Sequence, residues 1–209
     1  MLIQLMKEQW LTNQSSPHRM VYYSSYMAVK LAASTGMRLG EIFGLCWDCV
    51  NLNAMSIQVR RSIITGGKLN QFQSTKTKRS QRLIPITIDL TTELTTYKDY
   101  QENYARELGD KWINNKNALI TGCYGNILST SNFKSRYFIP VLNRAGIFNF
   151  TFHDLRHTHA TLLLSQKVNP KIVQERLGHS TITLTLDTYS HLVPDIQKEA
   201  VNALDKLGI

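Results

Sequence analysis

Phe152-His153-Asp154-Leu155-Arg156-His157-Thr158-His159, running on into Ala160-Thr161-Leu162-Leu163-Leu164, is the stretch on which the reading of this chain turns. Wound as a helix, it puts His153, Arg156 and His157 on one side, at spacings of three and four. Leu155, Ala160 and the leucines 162–164 supply a stripe for a core. A helix that carries both a core stripe and a His/Arg face does more than cover a surface, although a His-rich surface helix is the plainer reading. The pair His153 and His157 also has the spacing of the H-E-x-x-H zinc motif. Asp154, however, stands where that motif needs Glu, and a third ligand would have to come from His159 or His179.

The flanking sequence predicts more helix. Residues 131–145, 170–177 (with Pro170 in the first turn) and 195–207 read as helices after or around this stretch. Toward the N-terminus, a short helix within 1–10 precedes a loop at Thr12–Pro17, and residues 22–34 form a largely buried helix that Thr35-Gly36 breaks. Residues 38–45 read as a second short helix. Residues 50–64 read as one strand, because Met55, Ile57 and Val59 alternate with polar residues. Gly66-Gly67 signals a turn. Residues 81–88 form another strand, with Pro85 placing it at an edge or marking its end. Residues 89–108 read as a polar surface helix, and residues 118–128 as a small hairpin around Tyr124-Gly125-Asn126. The result is a mainly helical α+β domain with a small antiparallel sheet.

Composition narrows the function classes. Hydrophobic residues make up 43% of the 209, enough for a real core rather than a disordered basic tail. No run of about 18 apolar residues occurs, and the N-terminus lacks the basic start and apolar stretch of a signal peptide. Cys46, Cys49 and Cys123 are an odd, sparse set that suits a reducing compartment better than a disulfide framework. Twenty-four Lys and Arg against 15 Asp and Glu leave a net charge of +9, which favours a polyanionic partner.

Three further stretches carry chemistry. In Thr35-Gly-Met-Arg38-Leu-Gly-Glu41, Arg38 lies at a helix start and Glu41 one turn on, placed to brace it; an ordinary surface ion pair is the plainer reading. Ser74-Thr-Lys76-Thr-Lys78-Arg79-Ser-Gln-Arg82 is a basic segment between two strands. Leu177-Gly178-His179 ends a helix in a left-handed cap, so that His179 projects from the turn, and Tyr189 follows ten residues later in a Thr-rich polar stretch.

Taken in order, these stretches resemble the tyrosine recombinase, or phage integrase, family: T-G-x-R-x-x-E, a lysine on a β-hairpin, H-x-x-R, L-G-H, then a tyrosine. The resemblance spans about residues 22–207. The T-K-T-K-x-x-x-R-x-I-P and H-D-L-R-H-T-H-A-T stretches look most like integrases of Gram-positive phages and conjugative transposons. The resemblance implies the tyrosine recombinase catalytic-domain fold and site-specific DNA integration and excision through a covalent 3′-phosphotyrosine. It makes Arg38 and Arg156 a clamp on the scissile phosphate, with Glu41 orienting Arg38. His153 and His179 are active-site histidines, and Tyr189 is the nucleophile. Lys76 is the general acid toward the leaving 5′-oxygen, with Lys78 as the alternative two residues on. Arg60, Arg61, Lys68, Lys78, Arg79, Arg82, Lys134 and Arg136 then serve the DNA backbone.

The chemistry agrees with those residue types. Attack of a phenol on a phosphodiester builds charge on the non-bridging oxygens, and guanidinium forks with imidazole donors stabilise that charge without a metal. A phenol needs a base, for which His153 is a candidate, and the departing alkoxide needs a proton. The resemblance implies no cofactor, metal or ATP, and no P-loop pattern occurs. Its implied partner is double-stranded DNA at attachment-type sites. The resemblance also implies a protein that alone is weakly associated or monomeric and that forms a tetramer in synapsis. It further implies an excisionase or a host DNA-bending factor as accessory, and no membrane partner. The implied location is the bacterial cytoplasm, at the nucleoid. The 195–207 helix packs on its own core or docks on a neighbouring protomer. Residues 1–20 are then a helix and linker remnant before a catalytic domain at 21–209, without the helical core-binding domain that family members place ahead of it. A zinc hydrolase, a non-catalytic DNA-binding module and a topoisomerase of similar chemistry are the competing readings.

Overall fold

Residues 19–35 run 17 positions without a breaker, and they form the helix around which the rest is built, α2 (Arg19–Thr35), following α1 (Leu2–Thr12). The structure is a computed structural model, and it describes residues 1–64, 71–74, 81–114, 116–183, 201 and 204–206. Met20, Tyr23, Met27 and Leu31 bury one face of α2 and Val21, Ala28, Val29 and Ala32 another, so nearly the whole circumference is core. On one side Met6 of α1 is fully buried, and Trp10 stacks on Tyr23 with ring centroids 3.8 Å apart.

On another side lies α4 (Ile88–Leu108). The sequence predicts a polar surface helix here, and the structure corrects this. Leu90, Leu94, Tyr97, Gln101 and Tyr104, three or four apart, form a buried stripe beneath the polar average. Tyr97 donates to the carbonyl of Leu119 at 2.8 Å and contacts the Ser24 hydroxyl at 2.8 Å, so its polar atom is satisfied inside the core.

The strand expected over 50–64 is three strands. These are β1 (Val50–Asn51), β2 (Ser56–Val59) and β3 (Arg61–Ile64), the last pairing with β4 (Gln71–Ser74) in a separate ribbon. The break comes from Asn51, whose side-chain oxygen accepts from Ala54 N at 2.8 Å, and from Met55 at φ 45°. β2 lies between β1 and β5 (Arg82–Pro85), antiparallel to both, with Ile57 opposite Val50 and Ile84. Pro85 ends that edge strand, as its missing N–H requires. The strand stops short of residue 88 because the Thr87 side chain accepts from Leu90 N and caps α4. The 118–128 hairpin is reduced to one bridge, Thr121 to Ile127, closed by Gly122 N to Asn126 O at 2.7 Å.

Residues 130–144 wind continuously, but with a wide turn inside. α5 (Thr130–Asn132) passes through a π-helical stretch at Phe133–Phe138 into α6 (Ile139–Arg144). α7 (Phe152–Ser165) and α8 (Pro170–Leu177) follow the sequence reading closely. α7 packs on α2, and α8 packs on α7 through Ala160, Val173 and Leu177. The Gly66-Gly67 turn lies outside the described residues, as do nine of the thirteen residues of the 195–207 helix. Among the described residues no helix is long and apolar enough to cross a membrane.

Candidate active site

Arg38 precedes α3 (Leu39–Phe43) in an extended conformation, and Glu41 sits in the first turn. Glu41 accepts from the Arg38 backbone N at 2.8 Å and from its Nη1 at 3.0 Å, which ties the side chain to the helix start. Arg38 Nη2 reaches the Gly178 carbonyl at 3.1 Å, at the end of α8. Glu41 is only 4% exposed. Burial alone would raise its carboxyl. The hydrogen bonds and charges of Arg82 and Arg38 outweigh that and hold it below the usual carboxylate range.

Arg156 comes from α7, far along the chain. Its Nη1 donates to the Gly36 carbonyl at 2.7 Å, and the residue is 3% exposed. Gly36 ends α2 in the left-handed region at φ +67°. A Cβ there would lie 2.5 Å from Leu177 Cδ2 and 2.8 Å from His159 Cδ2, so both the backbone conformation and the close approach require glycine. His159 faces inward on α7. Its Nε2 accepts from Arg176 Nε at 3.1 Å, which leaves Nδ1 to donate to Ala33 O at 2.8 Å and fixes the tautomer. Burial, followed by the charges of Arg176 and Arg156, pushes His159 down to about 4 against the opposing pull of that carbonyl. Arg176 also donates to Pro85 O at 2.9 Å and Ser34 O at 3.1 Å, pinning α8 to β5 and α2.

Arg38, His153, Arg156 and Lys134 line one pocket of about 220 Å³, together with Met37, Leu39, Thr151 and Phe152. Thr151 and Asp154 close a capping box at the start of α7 and so set where His153 projects. Its ring meets that of His157 edge to face at 4.7 Å. Burial, then His157, Arg156 and Arg38, lower the His153 pKa. His179 follows Gly178, whose carbonyl accepts from Arg38 Nη2, and it is pushed down to about 4 by burial and then by Arg156, Arg38, His157 and Arg82. It leaves α8 through Gly178, at φ +69°, and Gln174 brackets it, taking its N–H at 3.1 Å and donating to its carbonyl at 3.2 Å. Two guanidinium groups, an ammonium and two imidazoles held toward neutrality make a site for an anion next to groups able to accept a proton.

The structure thus brings Arg38, His153, Arg156 and Lys134 together, with Glu41 behind Arg38 and His179 beside them. Tyr189, Lys76, Lys78, Lys68 and Arg79 lie outside the described residues. Arg82, expected on the DNA backbone, is instead turned inward: its side chain is 7% exposed and forks onto Glu41 at 2.8 and 3.0 Å. Arg61 pairs with Asp48 at 2.8 Å, and Arg60 bonds Gln58 and lines a different groove, beside Trp47 and Lys98. Arg136 is exposed on the π-helical stretch. Among the described residues no three His, Cys, Asp or Glu side chains gather as metal ligands. Sequence reasoning missed Arg176, whose partners, the His159 ring and the carbonyls of Ser34 and Pro85, are brought close only by folding, and Gln174, which bonds Lys171 and His179 nearby in the chain; the one local signal is their place in the turn before Gly178.

A family model described as "Phage integrase family" matches residues 5–195. A "Tyrosine recombinase XerC-like" protein of Caldanaerobacter subterraneus subsp. tengcongensis is 35% identical over 86% of this chain and 48% of its own length. The "ICEBs1 integrase" of Bacillus subtilis is 30% identical over 91% of this chain and 50% of its own. The chain therefore spans about half the length of the curated relatives it matches. Among solved structures, the Tn1549 transposon integrase in complex with a circular intermediate DNA is similar with a TM-score of 0.73. It is 22% identical, covering 95% of this chain and 63% of that one. The catalytic domain of bacteriophage HP1 integrase is similar with a TM-score of 0.52 and 21% identity, covering 95% of this chain and 90% of that one.

Proposed function

Since the chain belongs to the phage integrase family, we propose that it cleaves and rejoins duplex DNA through a covalent 3′-phosphotyrosine at Tyr189. The observation that carries this reading is that Arg38 and Arg156, from distant parts of the sequence, line one pocket with His153. In the reaction, the Tyr189 phenol attacks phosphorus and passes its proton to His153. The bond from phosphorus to the 5′-oxygen breaks, and that oxygen leaves as a hydroxyl with a proton from Lys76. Charge that develops on the non-bridging oxygens falls to Arg38, Arg156 and the His179 imidazole. Attack of a second 5′-hydroxyl on the phosphotyrosine reverses the step and joins new strands, so neither metal nor ATP is consumed.

In this reading residues 21–209 form the catalytic domain, and four protomers act on two duplexes. The test is a pool of nicked duplexes, on which the released 5′-fragment diffuses away and the adduct accumulates. The parent chain should give a protein–DNA adduct that survives denaturation and chelator, and Tyr189→Phe should give none. Adduct formation by Tyr189→Phe, or its loss on adding chelator, overturns the proposal.

A further inference from the structure

Arg82 opens β5, directly after the basic segment 75–81, yet its guanidinium points into the protein. Nη1 donates to Glu41 Oε1 at 3.0 Å, Nη2 to Glu41 Oε2 at 2.8 Å, and Nε to the Arg176 carbonyl at 2.7 Å. The same two carboxylate oxygens take Nη1 and the backbone N of Arg38. A carboxylate offers about four lone-pair sites, and two arginines share them here.

That sharing has a consequence for Arg38. A buried carboxylate facing one guanidinium draws it into a bidentate fork. With Arg82 holding one side of each oxygen, Arg38 is left with a single side-chain contact to Glu41, and its other Nη reaches the Gly178 carbonyl. The Arg38 side chain is 42% exposed and lines the pocket, whereas that of Arg82 is 7% exposed. The second tie, from Arg82 Nε to the Arg176 carbonyl, fixes the last turn of α8 just before the Gly178 turn that carries His179. A Cβ on Gly178 would lie 3.0 Å from Arg82 Nη1, so the turn and the guanidinium are in direct contact.

We infer that Arg82 is a positioning residue for strand cleavage: by sharing Glu41 it keeps Arg38 turned toward the pocket, and through the Arg176 carbonyl it seats the turn that bears His179. The inference rests on the function proposed above. It replaces a contact with the DNA backbone by one that acts through Arg38.

The experiment measures single-turnover adduct formation on nicked duplexes for the parent chain, Arg82→Met, Arg82→Lys, Glu41→Gln and the Glu41→Gln/Arg82→Met pair. Each is run on an ordinary phosphodiester and on a methylphosphonate at the scissile position, which lacks the charge that Arg38 meets. Arg82→Met should slow cleavage of the phosphodiester roughly tenfold or more, as a misplaced clamp does. The loss should shrink on the methylphosphonate, and it should largely vanish in the Glu41→Gln background, where no carboxylate recaptures Arg38. Arg82→Lys keeps the charge without the fork and should fall between; it carries the same comparison if Arg82→Met does not fold. Equal losses on both substrates, losses that multiply with Glu41→Gln, or weaker DNA binding with an unaltered cleavage step would each overturn the inference. Absence of adduct with the parent chain would overturn the functional reading, and this inference with it.

Discussion

Arg156 has two duties at one guanidinium. One nitrogen is tied to the Gly36 carbonyl at 2.7 Å, and the group as a whole lines the pocket. A lysine offers a single point charge and cannot hold both ends of that arrangement. Arg156→Lys should therefore slow adduct formation roughly 10²-fold, in line with the removal of one donor to a developing oxyanion, while DNA affinity measured by gel shift changes little. Equal cleavage by the lysine variant would show that one point contact suffices. The choice between Lys76 and Lys78 yields to a different probe. A 5′-thiolate leaving group needs no proton, so a bridging phosphorothiolate should rescue whichever alanine variant removed the general acid. Rescue of Lys78→Ala in place of Lys76→Ala would reassign that role. Arg38, His153 and Arg156, which line one pocket, stood out in the sequence because T-G-x-R-x-x-E and H-x-x-R are local patterns. Arg82 was misread because nothing local tells a strand arginine that faces solvent from one that meets a carboxylate 41 positions back.

α8 was legible to the residue because both its ends carry their signals, Pro170 in the first turn and Gly178 beyond the last. The 50–64 segment was not, because alternation continued through a turn that one asparagine side chain makes. α4 was located but misjudged, since two tyrosines and a glutamine continue the buried stripe that Leu90 and Leu94 begin, amid a polar average. α7 holds the element whose pH behaviour follows from its packing. Unfolded, His159 titrates at its ordinary value of 6.5; folded, it is held at about 4. Between those values the unfolded chain binds the extra proton, so stability must rise with pH across the window and is lost as pH falls from 6.5 toward 4. The contribution is bounded at ~3 kcal/mol. Urea midpoints should be lower at pH 5 than at pH 7, and His159→Gln should flatten part of that slope. A slope unaltered by His159→Gln would place the acid sensitivity elsewhere.

For the molecule as a whole, the net charge of +9 announced a polyanion but did not say where it binds. The fold divides that charge unequally. Arg82 and Arg61 are engaged by carboxylates, and Lys7 pairs with Glu93 at 3.6 Å on the α1–α4 side. Lys134 lines the pocket itself, on the π-helical stretch, a kind of irregularity that recurs at functional sites. Binding to duplex DNA releases a counterion for each phosphate neutralised, so the dependence of affinity on salt counts contacts rather than net charge. Lys134→Ala and Lys7→Ala remove the same formal charge from the chain. If the pocket face is the DNA face, Lys134→Ala should reduce the slope of log affinity against log salt by about 0.9, while Lys7→Ala leaves it as in the parent. Titrations by fluorescence anisotropy at several salt concentrations read both slopes. Equal reductions for the two variants would mean that DNA responds to the overall charge of the protein, and the pocket would lose its claim to be where the duplex lies.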